Sequence, residues 1–468
     1  VATPTPHPEN LAERLIVGIL GATWILWLVG GLYLAGPALG WILAVLALGQ
    51  YYLAPGLPEK ERPDPVPVPI VLWLLGMAAM LIILWIGHAN YDLGTGKTIK
   101  SSIGWAKGWA LLALFPFAGA VLNIRPELIY RAICRLGLQT LILLPIFLVA
   151  PYIGLPERLW VSPLKVLGGS GPEYFSTILY TIEPGVGTPR WQFFAPWSPA
   201  AGMIAVIYVL LAAQEKSPGW RAIGIAAGLA LALFSQSRLA LVALFVIAPF
   251  CFGAGRIDRP STWMLAAPVL LLVGFFGPAL LEFAGQLMDD FSSARADSSR
   301  VRAALGRIAL DRWQNEAPWF GHGIVENGPH LVEYMPIGSH HSWYGLLFVK
   351  GLSGAIALAV PLVVSFVLLF WRARHSGLQR AGLAMIMIQL LYSFGENLEM
   401  LAYLTWPAML VIGLALREGM RLGMGMDSAS PMTEKIGDGQ VEPAKVSTQT
   451  ESTKKREPVG AGSRSGDP

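Results

Sequence analysis

Apolar runs of about 17–25 residues, separated by short charged or Pro/Gly-rich breaks, recur along most of this chain. A run of that length crosses ~30 Å of hydrocarbon as a helix, and a helix pairs its own backbone polar groups where no water can. The runs lie near 15–36, 37–53, 69–88, 106–123, 137–156, 199–214, 220–236, 238–254, 263–284, 342–371, 381–398 and 400–416, about twelve in all. The pattern predicts an all-α polytopic membrane protein. The run from Ser342 to Trp371 is long for one crossing, and its Gly351-Leu352-Ser353-Gly354 break predicts a short leading helix before the span proper.

Lysine and arginine set the expected orientation. Lys60 and Arg62, then Arg125, Arg131 and Arg135, then Lys216 and Arg221, then Arg256 and Arg259, then Arg372, Arg374 and Arg380 occupy one set of alternate loops, expected to be cytoplasmic. An even number of spans then places both termini inside and the long connections, about 157–198 and 285–341, outside. The outer loop 89–105, with Lys97 and Lys100, departs mildly from the rule. Beyond Arg421 the chain turns to Ser, Thr, Lys, Glu, Gly and Pro, too polar to bury a core. The expected organisation is a transmembrane domain over 1–421 and a disordered cytoplasmic tail over 422–468. No convincing internal repeat is present, which weighs against a transporter.

Composition agrees: 54% hydrophobic residues, 14% charged and a mean hydropathy of +0.54 are far from a soluble domain. Cys134 and Cys251 have no paired spacing, so no structural disulfide is expected. The apolar segment after Arg14 continues to about Gly36 without a small-residue cleavage site, and reads as a first span, not a signal peptide. Nucleic acid is not expected as a partner.

Candidate chemistry gathers in the second outer loop. His322, His330, His340 and His341, four of the seven histidines, lie in it or at its end, with Arg295, Arg300, Arg302, Arg307 and Arg312. Five arginines on the side where the orientation rule expects few ask for an anionic partner such as a diphosphate or lipid head group, or for the loop's own acids Asp289, Asp290, Asp297, Asp311 and Glu316. A helix capped by Ser298 or Ser299, with Pro318 beyond its end, puts Arg300 in the first turn, where helix-start amides and a guanidinium together can hold phosphate. Arg302 is the alternative cavity-facing arginine. Arg190 precedes an aromatic, proline-rich return to the membrane, and Arg238 sits in a tight turn that puts its guanidinium near the outer interface or inside the bundle. With Ser339 as N-cap, His340 and His341 occupy a first helical turn whose dipole disfavours imidazolium, keeping the neutral ring that a general base needs. A metal site and a structural histidine pair are the competing readings; the spacing fits no common ligand pattern, so neither metal nor cofactor is expected.

These residues resemble the O-antigen ligase family, with its polymerase and O-linked oligosaccharyltransferase relatives. That family carries His-Asn followed about ten residues on by Gly-x-x-Gly; here "HHSWYGLLFVKGLSG" aligns His340, then His341 in the asparagine place, then Gly351 and Gly354. "SQSR" ending at Arg238, "SSR" ending at Arg300 and "PWFGHG" at 318–323 are similar too, and "RWQFFAPWSP" keeps Arg190, Phe194 and Pro196. The resemblance implies a GT-C-like glycosyltransferase in the bacterial inner membrane with a periplasmic active site. It would transfer glycan from undecaprenyl diphosphate to lipid A-core, without metal and with inversion. His340 would be the base, Arg190, Arg238 and Arg300 would hold the diphosphate, and His341, Arg302 and His322 would support them. Membrane lipids would surround it. A polymerase or a protein-directed oligosaccharyltransferase shares the donor chemistry. A transporter of an anionic lipid could use the same arginines, with Glu396 and Glu399 for ion coupling.

Overall fold

The computed structural model describes residues 6–56, 63–168, 171–182, 187–293 and 296–423. Almost all of the expected tail, 422–468, lies outside them, as do Arg295 and the side chains of Asp289, Asp290 and Asp297. In chain order the helices are α1 (Leu11–Gly21), α2 (Thr23–Leu28), α3 (Leu32–Leu53), α4 (Val68–Asn90), α5 (Thr95–Lys107), α6 (Leu111–Val121) and α7 (Pro126–Val149). After a looped region come α8 (Ser198–Ala212), α9 (Pro218–Phe234), α10 (Arg238–Ala254), α11 (Pro260–Ser293), α12 (Ala296–Glu316), α13 (Ser342–Arg372), α14 (Gly377–Tyr392) and α15 (Leu398–Gly423). The looped region holds two short antiparallel ladders, β1 (Arg158–Val161) with β2 (Ser176–Ile178) and β3 (Thr181–Ile182) with β4 (Pro189–Arg190). This is an all-α membrane protein. Among the described residues six helical segments are long and apolar enough to span, and α8, α9 and α10 are shorter apolar helices.

The centre of the bundle is α6 against α15. Every residue of α6 is buried, and α15 is buried without interruption from Leu401 to Ala415. Glycine makes this crossing tight: a Cβ on Gly413 would lie 2.1 Å from the Pro116 carbonyl oxygen, and one on Gly119 2.3 Å from that of Leu410. Apolar surface gains little by moving from lipid into protein, so close backbone packing of this kind is what holds membrane helices together.

The first predicted span, 15–36, is broken. The chain stops being helical after Leu28 and turns through Gly30 at φ +67° before α3 begins at Leu32. The exposed end carbonyls of α2, which a helix leaves unpaired, are taken by the looped region: Trp160 Nε1 and Thr177 Oγ1 donate to Leu28 O at 2.8 and 3.1 Å, and Ser162 Oγ to Val29 O at 2.8 Å. The second predicted span therefore starts at Leu32, with Pro37 inside it.

Candidate functional site

The Gly-x-x-Gly break is present, and its geometry explains it. Gly351 interrupts α13 at φ +63° and ψ −166°, a conformation that only glycine adopts without strain. A helix cut this way loses ladder partners in the middle of the membrane domain. The segment 318–323 supplies them. His322 N donates to Phe348 O and Gly323 N to Val349 O, both at 2.9 Å, while Leu352 N and Ser353 N donate to Pro318 O and Trp319 O at 2.8 and 3.2 Å. Gly321, at φ +64°, packs so closely that a Cβ would sit 2.3 Å from the Val349 carbonyl carbon. Two sequence motifs, "PWFGHG" and "GLSG", are thus the two halves of one splice.

The start of α13 differs from expectation by two residues. Ser339 is not the cap: the helix begins at Ser342 and His341 is its N-cap, its Nδ1 accepting the Tyr344 amide at 3.3 Å. The imidazole of His341 stacks on Tyr344 with centroids 3.8 Å apart and meets Phe394 edge-on. An imidazole nitrogen caps as a carboxylate or hydroxyl does, a role serine usually takes. His340 precedes the helix altogether, in left-handed backbone at φ +61°. It is therefore not held neutral by a helix dipole. Burial comes first and the charge of Arg302 second, and together they push the His340 imidazole down to about 4, well below the ordinary 6.5. Burial also lowers His341.

Beneath His340 lies the turn 393–397 between α14 and α15. Ser342 N donates to Ser393 O at 2.9 Å and its Oγ to Glu396 O at 2.7 Å, while accepting Leu398 N at 3.0 Å. Trp343 Nε1 reaches Ser393 Oγ at 2.9 Å. The Glu396 carboxyl, 1% exposed, accepts Trp197 Nε1 at 2.9 Å at the head of α8. The charge of Arg302 acts on Glu396 as well as on His340. Glu399 faces the buried Lys350, whose ammonium donates to Met80 O at 3.3 Å.

The arginines arrive from separate elements. Arg190, half-buried in β4, donates through a guanidinium nitrogen to Ser235 O at 3.4 Å. Trp191 N bonds Phe234 O at 3.3 Å and Gln236 Nε2 bonds Pro189 O at 3.2 Å, so the 189–191 strand is stitched to the α9–α10 turn. Arg238 is the first residue of α10 in that same turn. The neighbouring Leu239 lies against Gly395, its Cδ2 3.1 Å from where a Cβ would stand. Arg190 and Arg238 are thereby brought to the turn that carries Glu396 and supports Ser342. Arg300 and Arg302 are exposed on α12; that helix begins at Ala296, so Arg300 lies beyond its first turn, not within it.

His322 is built into the fold. Buried at 2% exposure, it stacks on Phe348, donates from Nδ1 to Phe348 O at 2.9 Å and meets Glu316 through Nε2 at 2.7 Å. Arg312 bonds both Glu316 and Glu326 and lies over the Phe348 ring. Hydrogen bonds from Arg312 and from His322 hold the Glu316 carboxyl down at about 2. His330 is exposed and packs edge-on against Tyr334. The signals that sequence reading undervalued are Trp197 and Glu396, the latter visible as an acid between two apolar runs.

Residues 223–359 match the O-antigen ligase family model. That stretch runs from within α9 to within α13, so it contains Arg238, α12 and His340 but neither Arg190 nor the Glu396 turn. No curated protein matches the chain.

Proposed function

We propose, from the O-antigen ligase domain at residues 223–359, that this membrane protein transfers glycan from undecaprenyl diphosphate to the sugar core of lipid A. The reaction runs on the periplasmic face of the inner membrane. The observation that carries this reading is His340: a half-buried imidazole kept neutral beside Arg302, at the junction of the elements that bear Arg190 and Arg238.

In this reading the acceptor hydroxyl gives its proton to His340 as its oxygen attacks the anomeric carbon. The bond from that carbon to the diphosphate oxygen breaks, and undecaprenyl diphosphate leaves with the electron pair. One displacement inverts the anomeric centre. The guanidinium groups of Arg190, Arg238 and Arg300, with Arg302 in support, balance the charge that grows on the leaving diphosphate, where fixed donors in a site of low dielectric count most. The lowered pKa keeps the imidazole deprotonated at working pH, at the cost of weaker proton affinity.

The test is transfer by purified protein, with chelator present, from undecaprenyl-diphosphate glycan to lipid A-core. Wild type should form product, and His340→Ala, folded to the same melting temperature, should not. Undiminished transfer by His340→Ala would remove His340 as base. Transfer to a second lipid-linked glycan or to a protein, in place of lipid A-core, would move the activity to the polymerase or the protein-directed reaction.

A further inference from the structure

The helix α5 plays no part in the chemistry above, yet it carries the charge that breaks the orientation pattern. It runs antiparallel to the outer half of α4, fixed on one side by Thr98 Oγ1 to His88 Nδ1 at 3.1 Å, Trp85 Nε1 to Ser102 Oγ at 3.0 Å and Trp105 Nε1 to Met77 O at 2.8 Å. Trp41 Nε1 adds a bond to Ala106 O at 3.0 Å. Indole rings with one polar end are the side chains that settle at a membrane surface. Lys107 is spent on the looped region, donating to Leu167 O and Gly168 O.

The other side of α5 is open. No residue of this helix is buried, and Lys97, Ile99, Lys100 and Ile103 stand exposed together, the two isoleucines at 57% and 49%. Nothing lies within 4 Å of where a Cβ would stand on Gly96 or Gly104, which flank them, so the surface is open. Among the described residues no carboxylate pairs with either lysine. Residues spaced by three, as Lys97 and Lys100 are, neighbour each other on a helix at about 5–6 Å. Two flexible lysines at neighbouring positions, beside two aliphatic side chains, complement a phosphate monoester on a sugar that also bears acyl chains. The helix on which α5 rests meets the α13 splice: Gly87, near the end of α4, would place a Cβ 2.9 Å from Gly323 Cα, and the Tyr91 ring lies tilted against His322 with centroids 5.4 Å apart.

We propose that the Lys97, Ile99, Lys100, Ile103 face of α5 docks the phosphorylated sugar head of the acceptor glycolipid in the outer leaflet. This rests on the acceptor named above and adds where that lipid is held. The experiment uses full-length protein in zwitterionic nanodiscs. Binding of diphosphorylated lipid A-core is read without donor by native mass spectrometry, beside its dephosphorylated form and phosphatidylglycerol as probes, for wild type and the K97Q/K100Q double variant.

The expected result is about thirtyfold weaker binding of the diphosphorylated lipid by the variant, from two lost lysine contacts at a membrane surface. The dephosphorylated form should bind both proteins alike, and phosphatidylglycerol should not displace the lipid. In the transfer assay the acceptor KM should rise by a similar factor while the donor KM holds. Equal binding by the variant, or equal displacement by phosphatidylglycerol, overturns the proposal. Phosphate-dependent binding without any transfer would leave the surface standing and remove the ligase reading; transfer with an unchanged acceptor KM in the variant would do the reverse.

Discussion

On the mechanism proposed above, in which His340 is the base, removing the charge of Arg302 should move the pH at which it fails. The His340 imidazole lies at about 4 against an ordinary 6.5, a difference worth about 3 kcal/mol against the charged ring. Burial is the larger cause and Arg302 the smaller, so Arg302 accounts for less than half of that difference, reduced further by the solvent that reaches this partly exposed ring. Deleting a positive charge relieves the imidazolium, so the pKa rises. In Arg302→Gln the acid limb of kcat/KM should therefore shift upward by about half a unit to one unit. The measurement is transfer between pH 3 and 9 at subsaturating donor, because kcat/KM reports the unliganded enzyme whereas kcat includes the bound diphosphate, whose negative charge raises the same pKa. The limb position is read, not the plateau, since Arg302→Gln also weakens charge balance at the leaving group. A wild-type limb near 6.5, or a limb that Arg302→Gln leaves in place or moves downward, refutes the reasoning.

Gly351→Ala should cost roughly 2 kcal/mol or more, since the position needs φ +63° and a Cβ would meet the Trp319 carbonyl carbon at 2.4 Å; the melting temperature in detergent reads it, and Gly104→Ala, with open space around it, should instead stabilise α5 by about 0.5–1 kcal/mol. The Glu316 carboxyl is depressed to about 2 in the folded protein, so the stability it adds is present above about 4.5 and lost as pH falls toward 2. Glu316→Gln should accordingly lower the melting temperature at pH 6 more than at pH 3, and a pH-independent loss would count against the Arg312 and His322 contacts. Glu396→Ala and Trp197→Phe should show a coupling of about 1–2 kcal/mol in a double-mutant cycle of unfolding; additive effects would mean that their 2.9 Å hydrogen bond contributes nothing.

Apolar run length made the membrane helices legible, and the glycines of 351–354 made the α13 break legible, because both are local properties. The start of α13 was not. Ser339 is a good cap by type, but His341 occupies that role, and only the Tyr344 amide distance reveals it. The break at Gly30 was hidden for a related reason: the end of α2 is satisfied by Trp160, Ser162 and Thr177, more than 130 residues away. Arg190 and Arg238 were each visible as charges at a membrane edge. Their convergence depends on the Ser235 carbonyl and the Gln236 side chain, contacts that no spacing encodes. Glu396 stood out as an acid between apolar runs and suggested ion coupling; its hydrogen bond to Trp197 and the seat it gives Ser342 tie it instead to the shape of the site.

The splice between 318–323 and the Gly351 break closes the intervening chain into a ring. Pro318 and Leu352 are joined by a hydrogen bond, and His340 rides on the circuit between them. A loop anchored at one end can swing as a flap; a ring riveted to a membrane helix cannot. If donor and acceptor are the two lipids proposed, the movement that admits them would come from parts outside the ring, such as the Arg190 strand and the helix that carries Arg300 and Arg302. On the proposed mechanism His340 would stay still while the arginines close around the substrate, so a crosslink between 320 and 350 should be tolerated during turnover where one between the 189–191 strand and α12 should stop it.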